Sequence, residues 1–395
     1  MSTNPRIYLD YNATMPMVSA AREAMRSVLD QGLGNPSSVH ADGRRARDVV
    51  ERARDQVARL VGRPREQIVF TSGGTEANAL GVLGLAAAVE KRGGPRVVAS
   101  APIDHPSLVG AVHALVARGW THRPIAVDSA GRLGIIETGP AEQRGSLDGV
   151  GVVALSAVNH ELGTMLDLRP WTAMARASGA LVHVDAVQLA GKRAIAIEAH
   201  SIAISAHKIG GPQGVGALAI EIDEGLPVIE SGHQERERRG GTENTIGIAG
   251  FGAAANAIDL DAWPRVVELG ARLEKGLVAL GARINGDGDA IALPTTTTGA
   301  SENERIGGTI NAAFPGVRGE SIVIALDLAG ISCSTGAACT SGSIQPSKVL
   351  LALGQSSEQA REAVRFSLGT PTTTDDVDAV LAALPPILAR ARGGR

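Results

Sequence analysis

The feature that most limits the fold is an alternation of short apolar segments with longer helical patterns through the first two thirds of the 395-residue chain. The short segments are rich in Val, Ile and Ala on both faces, which is typical of strands buried between two layers of helices. This alternation predicts a mainly parallel α/β sheet. The predicted strands are Ile68–Phe70, Val97–Ser100, Val152–Ala157, Leu181–Val187, Ile202–Ala206 and Val215–Ile220. The predicted helices between them include Ala41–Val61, Thr75–Glu90, Pro106–Arg118 and Pro170–Ser178.

Polar side chains follow several of these strands, at the point where each strand ends. They include Thr71–Thr75, Asp104 and His105, Asn159–Glu161, Asp185 and Gln188, and Ser205–Lys208. In open α/β sheets, ligands bind outside the carboxyl ends of the strands. The sequence therefore predicts one ligand site along this edge of the sheet.

The rhythm of the sequence changes in its last third. A long helical region at about 245–280 is followed by predicted strands at 309–314, 331–334 and 364–368, with helices at 319–329 and from about 374. This pattern predicts a smaller α+β domain, because a chain of this length exceeds one ordinary core. We expect a large domain at 16–255 and a small domain formed by 1–15 and 256–395.

Charge and composition exclude several classes of function. The formal net charge is −3, without basic tracts, which argues against nucleic acid as the main partner. The longest apolar stretch, Ala79–Val89, is far shorter than the roughly 18 residues of a membrane span, and the amino terminus has no apolar signal region. Two cysteines cannot form a disulfide framework, and no Cys/His cluster has zinc spacing. The sequence thus predicts a cytoplasmic protein with no membrane, nucleic-acid or metal partner.

Lysine is rare in this chain, and one of its five lysines has unusual surroundings. Lys208 follows an alternating β-branched run and precedes the sequence Gly-Gly-Pro at 210–212, which breaks the backbone. A lysine among serine, histidine and glycine suggests an amine that must lose its proton, which arginine cannot do. A Schiff-base lysine and a surface lysine are about equally consistent with this local context. The other lysines have ordinary surroundings: Lys91 and Lys192 lie beside glycine in turn-like stretches, Lys275 is on an amphipathic helix, and Lys348 opens a helical run.

Three further groups suggest ligand contacts, each with a plain alternative. Gly74 and Thr75 open a helix after a strand, which offers backbone N–H groups and a hydroxyl to a phosphate. Taken alone, an ordinary helix cap explains them better. Asp185 could pair with a protonated ring nitrogen and Gln188 could reach a ring oxygen, although helix capping by Asp185 is equally consistent. His105 could stack on a ring or move protons, but a lone histidine is more often structural.

The two cysteines differ in their surroundings. Cys333 lies in an apolar strand, as a buried free cysteine usually does. Cys339 lies in a loop rich in Gly, Ala, Ser and Thr, with no bulky apolar neighbour. A loop cysteine of this kind is a candidate nucleophile, and an incidental cysteine is equally consistent.

Taken together in this order, the motifs closely resemble the group I cysteine desulfurases of the class V aminotransferase superfamily, which depend on pyridoxal 5′-phosphate (PLP). The resemblance implies PLP-dependent fold type I, with a mainly parallel seven-stranded sheet in the large domain and a smaller α+β domain. It is carried by Tyr8-Leu-Asp-Tyr-Asn-Ala-Thr, Gly34-Asn-Pro-Ser-Ser-Val-His40, Thr71-Ser-Gly-Gly-Thr-Glu-Ala-Asn78, Val158-Asn-His-Glu-Leu-Gly163, Val184-Asp-Ala-Val-Gln188, Ser205-Ala-His-Lys208, Arg239-Gly-Gly-Thr-Glu-Asn244, Ser334-Thr-Gly-Ala-Ala-Cys-Thr-Ser341 and Arg365-Phe-Ser-Leu-Gly.

The resemblance implies a role for each matching residue. Lys208 carries the cofactor, Asp185 holds its pyridinium nitrogen, and His105 stacks on the ring and takes part in catalysis. Arg365 grips the substrate carboxylate beside Asn159, and Cys339 is the catalytic cysteine on the long loop typical of group I. The remaining cofactor contacts are Gly74, Thr75, Ser205 and His207 for the phosphate, Asn159 and Gln188 for the ring oxygen, and Thr242 for the phosphate of the neighbouring subunit in a homodimer.

The reaction implied by the resemblance converts L-cysteine to L-alanine and leaves a persulfide on Cys339. The sulfur then passes to a sulfur-acceptor protein, for which an iron–sulfur scaffold is one option. Two alternatives stay open. The first is a selenocysteine lyase or another class V PLP lyase or aminotransferase, in which Cys339 is incidental. The second is a catalytically silent dimeric scaffold for sulfur-transfer proteins.

The chain departs from the family pattern at four places. Met15 replaces a second threonine, His160 replaces a common asparagine, and Thr370-Pro371 replaces an arginine and an aromatic residue. The chain also ends at Arg395 without the longer tail of many family members. The first three affect the expected substrate contacts, and the fourth affects the expected partner.

Overall fold

The computed structural model describes residues 6–136, 146–221, 232–286, 305–336, 339–340 and 343–393, with only the backbone at 135, 136, 339, 340, 343 and 344. The strands are β1 Ile7–Tyr8, β2 Ile68–Thr71, β3 Val97–Ser100, β4 Thr121–Val127, β5 Leu133–Ile136, β6 Val152–Ser156, β7 Leu181–Asp185, β8 Ser201–Ser205, β9 Gly216–Ile220, β10 Arg283–Asn285, β11 Thr309–Ala313, β12 Ile331–Ser332, β13 Cys339–Thr340, β14 Ser343–Ile344 and β15 Ala363–Ser367. The helices are α1 Ser19–Gln31, α2 Ala41–Val61, α3 Gly74–Lys91, α4 Pro106–Ala117, α5 Arg169–Ser178, α6 Thr245–Asn256, α7 Trp263–Ala279, α8 Gly319–Leu328, α9 Lys348–Ala352, α10 Ser357–Arg361 and α11 Thr374–Gly393.

The main sheet has the strand order β2-β9-β8-β7-β6-β3-β4-β5. Neighbouring strands from β8 through β4 pair in parallel, whereas β9 and β5 pair antiparallel to their neighbours. The first seven strands of this order form the predicted mainly parallel sheet. The eighth, β5, adds a short edge strand through its pairing with β4.

Both faces of the main sheet are covered, because alternate side chains of each strand point to opposite faces. Val152 and Ala154 of β6 belong to one core, with side chains of α3 and α4. Val153 and Leu155 belong to the other, with side chains of α2 and α5. The apolar character of these strands on both faces follows from this sandwich, as the sequence predicts.

A second, antiparallel sheet has the order β10-β11-β15. The amino-terminal segment reaches this part of the chain: Ile7 pairs with Ile331 in parallel, and the Ser367 N–H donates to the Leu9 carbonyl at 2.8 Å. The segment 9–14 then runs towards β8, where the Met15 N–H donates to the His207 carbonyl at 2.8 Å. The limits of the two domains stay a prediction.

The prediction of one long helical region at 245–280 is wrong in one respect, because this region contains two helices, α6 and α7. The Asp259 side chain accepts from the Asp261 N–H and starts a short 3₁₀ turn, Leu260–Ala262. The next helix begins at Trp263 with Pro264 in its first turn. Proline lacks the N–H that a helix interior requires, so it starts a new helix at this point and cannot continue the old one.

Candidate active site

A cavity of about 260 Å³ lies at the carboxyl ends of β6, β7 and β8. Most of the predicted cofactor contacts line it, together with polar side chains that the sequence did not single out. Asn159, Thr242 and Arg365 are not among the lining residues. The lining residues are Gly74, Thr75, Asn78, His105, Ser107, Ser156, Val158, His160, Asp185, Val187, Gln188, Ser205, His207 and Lys208.

Lys208 ends the 3₁₀ turn that follows β8. Its Nζ donates to the backbone carbonyls of Asn12 and Ala13, the second at 2.9 Å. The pKa of Lys208 is lowered to about 8, mainly by burial and further by Arg365, while Asp185 acts in the opposite direction. A substantial fraction of this amine is therefore neutral near physiological pH, which is the form that attacks a carbonyl carbon.

Asp185 ends β7 and is held by a network of buried polar groups. Its Oδ1 accepts from the Val187 N–H at 2.9 Å, and its Oδ2 accepts from Asn78 Nδ2 at 2.7 Å. Asn78 Oδ1 in turn lies 3.0 Å from His183 Nε2, and His183 Nδ1 lies 2.8 Å from Ser201 Oγ. Burial lowers the pKa of His183 to about 3, so the ring is neutral. Asn78 thus fixes the Asp185 carboxylate at the cavity, a role that the sequence did not reveal.

One end of the cavity has the features of an anion site. Helix α3 begins there at Gly74 without a side-chain cap, so its first N–H groups face outward. Ser205 Oγ is buried and has no hydrogen-bond partner in the described structure. His207 Nδ1 lies 3.2 Å from Thr14 Oγ1, and burial lowers the pKa of His207 to about 4. A phosphate group bound here would accept hydrogen bonds from the Ser205 hydroxyl and from the first N–H groups of α3.

His105 caps α4 and faces a second histidine. Its Nδ1 accepts from the Ser107 N–H at 3.2 Å, so the proton of the neutral ring is on Nε2. Burial lowers the pKa of His105. The His160 ring lies edge-on to it, with centroids 5.0 Å apart. His160, one of the departures from the family pattern, therefore forms part of the cavity wall.

Gln188 and Asn159 are held in different ways. Gln188 lines the cavity and donates through Nε2 to the Asn12 carbonyl at 3.1 Å. Asn159 is buried: its Nδ2 donates to the Ile103 carbonyl at 2.8 Å, and its Oδ1 accepts from the N–H groups of Glu161 and Leu162 at 2.9 Å. The Asn159 amide thus shapes the loop after β6, and its predicted contact with a cofactor stays a prediction.

Arg365 lies next to the cavity on β15. Its guanidinium donates to Asp10 Oδ1 at 2.9 Å and to the His160 carbonyl at 3.1 Å, while its buried Nε has no partner among the described residues. The side chain is 9% exposed, so it is an organised cation behind the cavity wall. A substrate carboxylate would compete with Asp10 for this group.

Thr242 is exposed and stands apart from this cavity. The segment before it is tied to the start of α3, because Arg239 Nε donates to Glu76 Oε1 at 2.8 Å. The segment is also fixed at Glu235, seven residues before Thr242, where Arg54 Nη1 of α2 donates to Glu235 Oε2 at 2.7 Å in a buried ion pair. An exposed threonine on an anchored segment is available to a neighbouring subunit.

The backbone of Cys339 lies in a short hairpin formed by β13 and β14, and its side chain is outside the described residues. Gly336 and Ser347, which lie on either side of Cys339 in the chain, both contact the buried carboxyl group of Glu161. Ser347 Oγ donates to Glu161 Oε2 at 2.5 Å, and Gly336 approaches the same carboxyl so closely that a Cβ would collide with it. Burial raises the pKa of Glu161 to about 7. The other cysteine, Cys333, is partly buried directly after β12, and burial raises the pKa of its thiol to about 12, which makes it a poor nucleophile.

The sequence matches the family model of aminotransferase class-V over residues 7–380. The chain belongs to this family. It is 36% identical to cysteine desulfurase 2 of Trichormus variabilis, with 98% of this chain and 94% of that protein covered. It is 35% identical to an IscS-like cysteine desulfurase of Mycobacterium tuberculosis, with 98% and 97% covered. The solved structure of a NifS-like protein superposes with a TM-score of 0.82 at 30% identity, covering 98% of this chain and 100% of that one.

These matches confirm the predicted family, fold type and PLP dependence. The residues present fit PLP: a partly neutral lysine, a buried carboxylate and an anion site with an unpartnered hydroxyl converge on one cavity. In the described parts of the chain, no cluster of three or more His, Cys, Asp or Glu side chains has an arrangement suited to a metal ion. None of the described helices has the length and apolarity to cross a bilayer.

Proposed function

We propose that this protein is a PLP-dependent cysteine desulfurase that converts L-cysteine to L-alanine and retains the sulfur as a persulfide on Cys339. The observation that carries the proposal is the convergence of Lys208, Asp185 and the unpartnered Ser205 hydroxyl on one cavity. The activity class agrees with the names of the curated relatives. The residue roles below are our assignments.

Lys208 holds the cofactor and then serves as the base for the substrate Cα proton. Its lowered pKa, about 8, suits both tasks, because a general base works best when its pKa is near the working pH. When bound, PLP supplies an electron sink for the carbanion that is formed at Cα. Asp185 keeps that sink effective, since its carboxylate, held by Asn78, can retain a proton on the ring nitrogen.

The remaining residues hold the two ends of the ligands. Ser205 Oγ, Thr75 and the first N–H groups of α3 bind the phosphate. Arg365 binds the substrate carboxylate through a guanidinium that Asp10 already orients at 2.9 Å. Binding and orientation by groups that are fixed in advance lower the entropic cost of reaching the reactive geometry.

Cys339 supplies the nucleophile. Its thiolate attacks the sulfur of the substrate, an S–S bond forms, the S–C bond breaks, and the electron pair of that bond stays with the carbon skeleton. Protonation of this carbon gives alanine. The outer sulfur is then passed to an acceptor thiol by exchange. We further propose that the enzyme is a cytoplasmic homodimer in which Thr242 contacts the cofactor phosphate of the other subunit, and that a protein, such as an iron–sulfur scaffold, accepts the sulfur.

The test is to incubate the purified holoenzyme with L-cysteine and to measure alanine and protein-bound persulfide together. A desulfurase releases one alanine for each sulfur bound in the first turnover. In a separate sample without cysteine, borohydride treatment should fix the cofactor to the peptide that contains Lys208. Alanine without bound persulfide, or turnover of selenocysteine alone, would favour a lyase, and absence of the cofactor chromophore would favour a silent scaffold.

A further inference from the structure

A buried lysine that the proposed chemistry does not use lies next to the cavity. Lys192 is 9% exposed, and its Nζ donates to Gln188 Oε1 and to Asn12 Oδ1, both at 3.0 Å. The Trp263 ring covers it, with Nζ 5.6 Å from the ring centroid. Burial, together with the charges of Lys208 and Arg365, lowers the pKa of Lys192 to about 7. Both acceptors are amide oxygens, so no carboxylate at these contacts offsets the desolvation of the amine.

The contacts of Lys192 determine which way the Gln188 amide points. Gln188 Oε1 accepts from Lys192, while Nε2 donates to the Asn12 carbonyl at 3.1 Å. The Asn12 carbonyl accepts at any pH and never donates, and the Lys192 amine only donates while it is protonated. Turning the amide by half a rotation would set N–H against N–H and oxygen against oxygen. The amide is therefore held in one orientation, which leaves the second N–H of Nε2 for the cavity that Gln188 lines.

Asn12 does not depend on Lys192 for its position. Its backbone N–H donates to Ser367 Oγ at 2.9 Å, and its Nδ2 donates to Thr309 Oγ1 at 3.0 Å. When the lysine amine is removed, both Asn12 Oδ1 and Gln188 Oε1 lose a donor, but Asn12 keeps these other contacts. Removal of the amine therefore acts chiefly on the Gln188 amide.

We propose that Lys192 is a positioning residue that orients the Gln188 amide so that an N–H group, and not the carbonyl, faces the ring oxygen of the cofactor. The inference rests on the proposed function, in which this cavity holds PLP with its ring oxygen near Gln188. A ring oxygen that carries negative charge is stabilised by a donor and destabilised by a carbonyl. Lys192 acts on this oxygen only through Gln188.

The test uses the PLP holoenzyme without substrate and follows its visible absorbance as a function of pH. The proton that titrates lies beside the ring oxygen of the cofactor. Loss of the Gln188 N–H donor makes this oxygen more basic, which favours the protonated form of the cofactor and raises the midpoint of the absorbance titration. We expect Lys192→Met to raise the midpoint by about one pH unit, the lower end of the shifts that a close charge produces, because a neutral amide donor acts more weakly than a full charge. Lys275→Met removes an exposed lysine of α7 and should leave the midpoint unchanged.

A double-mutant cycle tests whether the effect passes through Gln188. Gln188→Met should raise the midpoint by itself, and Lys192→Met added to it should change the midpoint little. Lys192→Arg keeps donors for Gln188 Oε1 and Asn12 Oδ1. Position 192 borders a cavity of about 130 Å³, which offers room for the larger guanidinium group. This variant should therefore have a midpoint near that of the wild type. An unchanged midpoint in Lys192→Met, or an equal shift in the Gln188→Met background, would overturn the proposal.

Thermal unfolding separates positioning from a general loss of structure. Should Lys192→Met fail to fold, Lys192→Gln takes its place, because its shorter amide cannot reach both oxygens. A lower unfolding temperature with an unchanged midpoint would mean that Lys192 only supports the fold and would refute the proposal. Because the titration contains no substrate, failure to produce alanine from cysteine would refute the proposed function and leave the comparison of midpoints valid.

Discussion

The buried contact between Asn78 and Asp185 gives a quantitative prediction for cofactor binding. Asn78→Ala removes the donor at 2.7 Å from Asp185 Oδ2 and the acceptor at 3.0 Å from His183 Nε2. A hydrogen bond to a charged group contributes about 1.5–3 kcal/mol, which corresponds to roughly 10- to 150-fold in an equilibrium constant. Without this donor, the carboxylate is less able to hold a proton on the ring nitrogen. Because the bond also exists before PLP binds, only part of this energy affects binding, and we expect the Kd for PLP to rise by a factor no larger than the upper end of that range.

The assay is a titration of the apoprotein with PLP, followed by visible absorbance. The matched control is Asn285→Ala, because Asn285 is also buried and bridges Asn311 and Gln355 with contacts of 2.8 Å in the small sheet. Both variants should lose about 1–3 kcal/mol of stability, since each leaves buried polar groups without partners. Only Asn78→Ala should bind PLP more weakly. Equal affinity in the two variants would refute the idea that Asn78 acts through Asp185.

Two other predictions concern the lysine and the subunit contact. The lowered pKa of Lys208 predicts that its acylation in the apoprotein accelerates as pH rises through about 8, because only the neutral amine reacts. Mass spectrometry of the labelled peptide measures the rate of acylation at each pH. A midpoint above about 10 would contradict the prediction. In a hybrid dimer of a Lys208→Ala chain with a Thr242→Ala chain, one site should carry both lesions and the other neither, so the isolated hybrid should keep about half of the wild-type activity. Half the activity of the Thr242→Ala homodimer, and not half that of the wild type, would show that each site is built from one chain.

The sequence predicted the central strands and helix α2 well, because their apolar patterns are local and regular. The burial of Lys192 could not be predicted from local patterns in the sequence. Beside a glycine in a turn-like stretch it resembled a surface residue, but Asn12, 180 positions away in the chain, covers it. The spacing of four residues from Gln188, together with the rarity of lysine, is the signal that could have found it. Asn78 and His183 were missed for the same reason, since their contacts join α3 to β7 and β8.

Thr242 and Cys339 show a different limit. Their predicted roles require a second subunit and a moving loop, and neither follows from the apolar pattern of a single chain. The family motifs indicate both roles through resemblance alone. The geometry adds that the Glu161 carboxyl accepts a hydrogen bond from Ser347 and lies close to Gly336, on either side of the segment that contains Cys339.

The most direct test of the account is to locate the sulfur after a single turnover with L-cysteine. Peptide mapping by mass spectrometry should find the persulfide on Cys339 in the wild type and in Cys333→Ala. Cys339→Ala should still bind PLP but lose alanine production by at least about two orders of magnitude, as expected when a covalent nucleophile is removed. Near-normal turnover of cysteine by Cys339→Ala, or a persulfide on Cys333, would contradict the account.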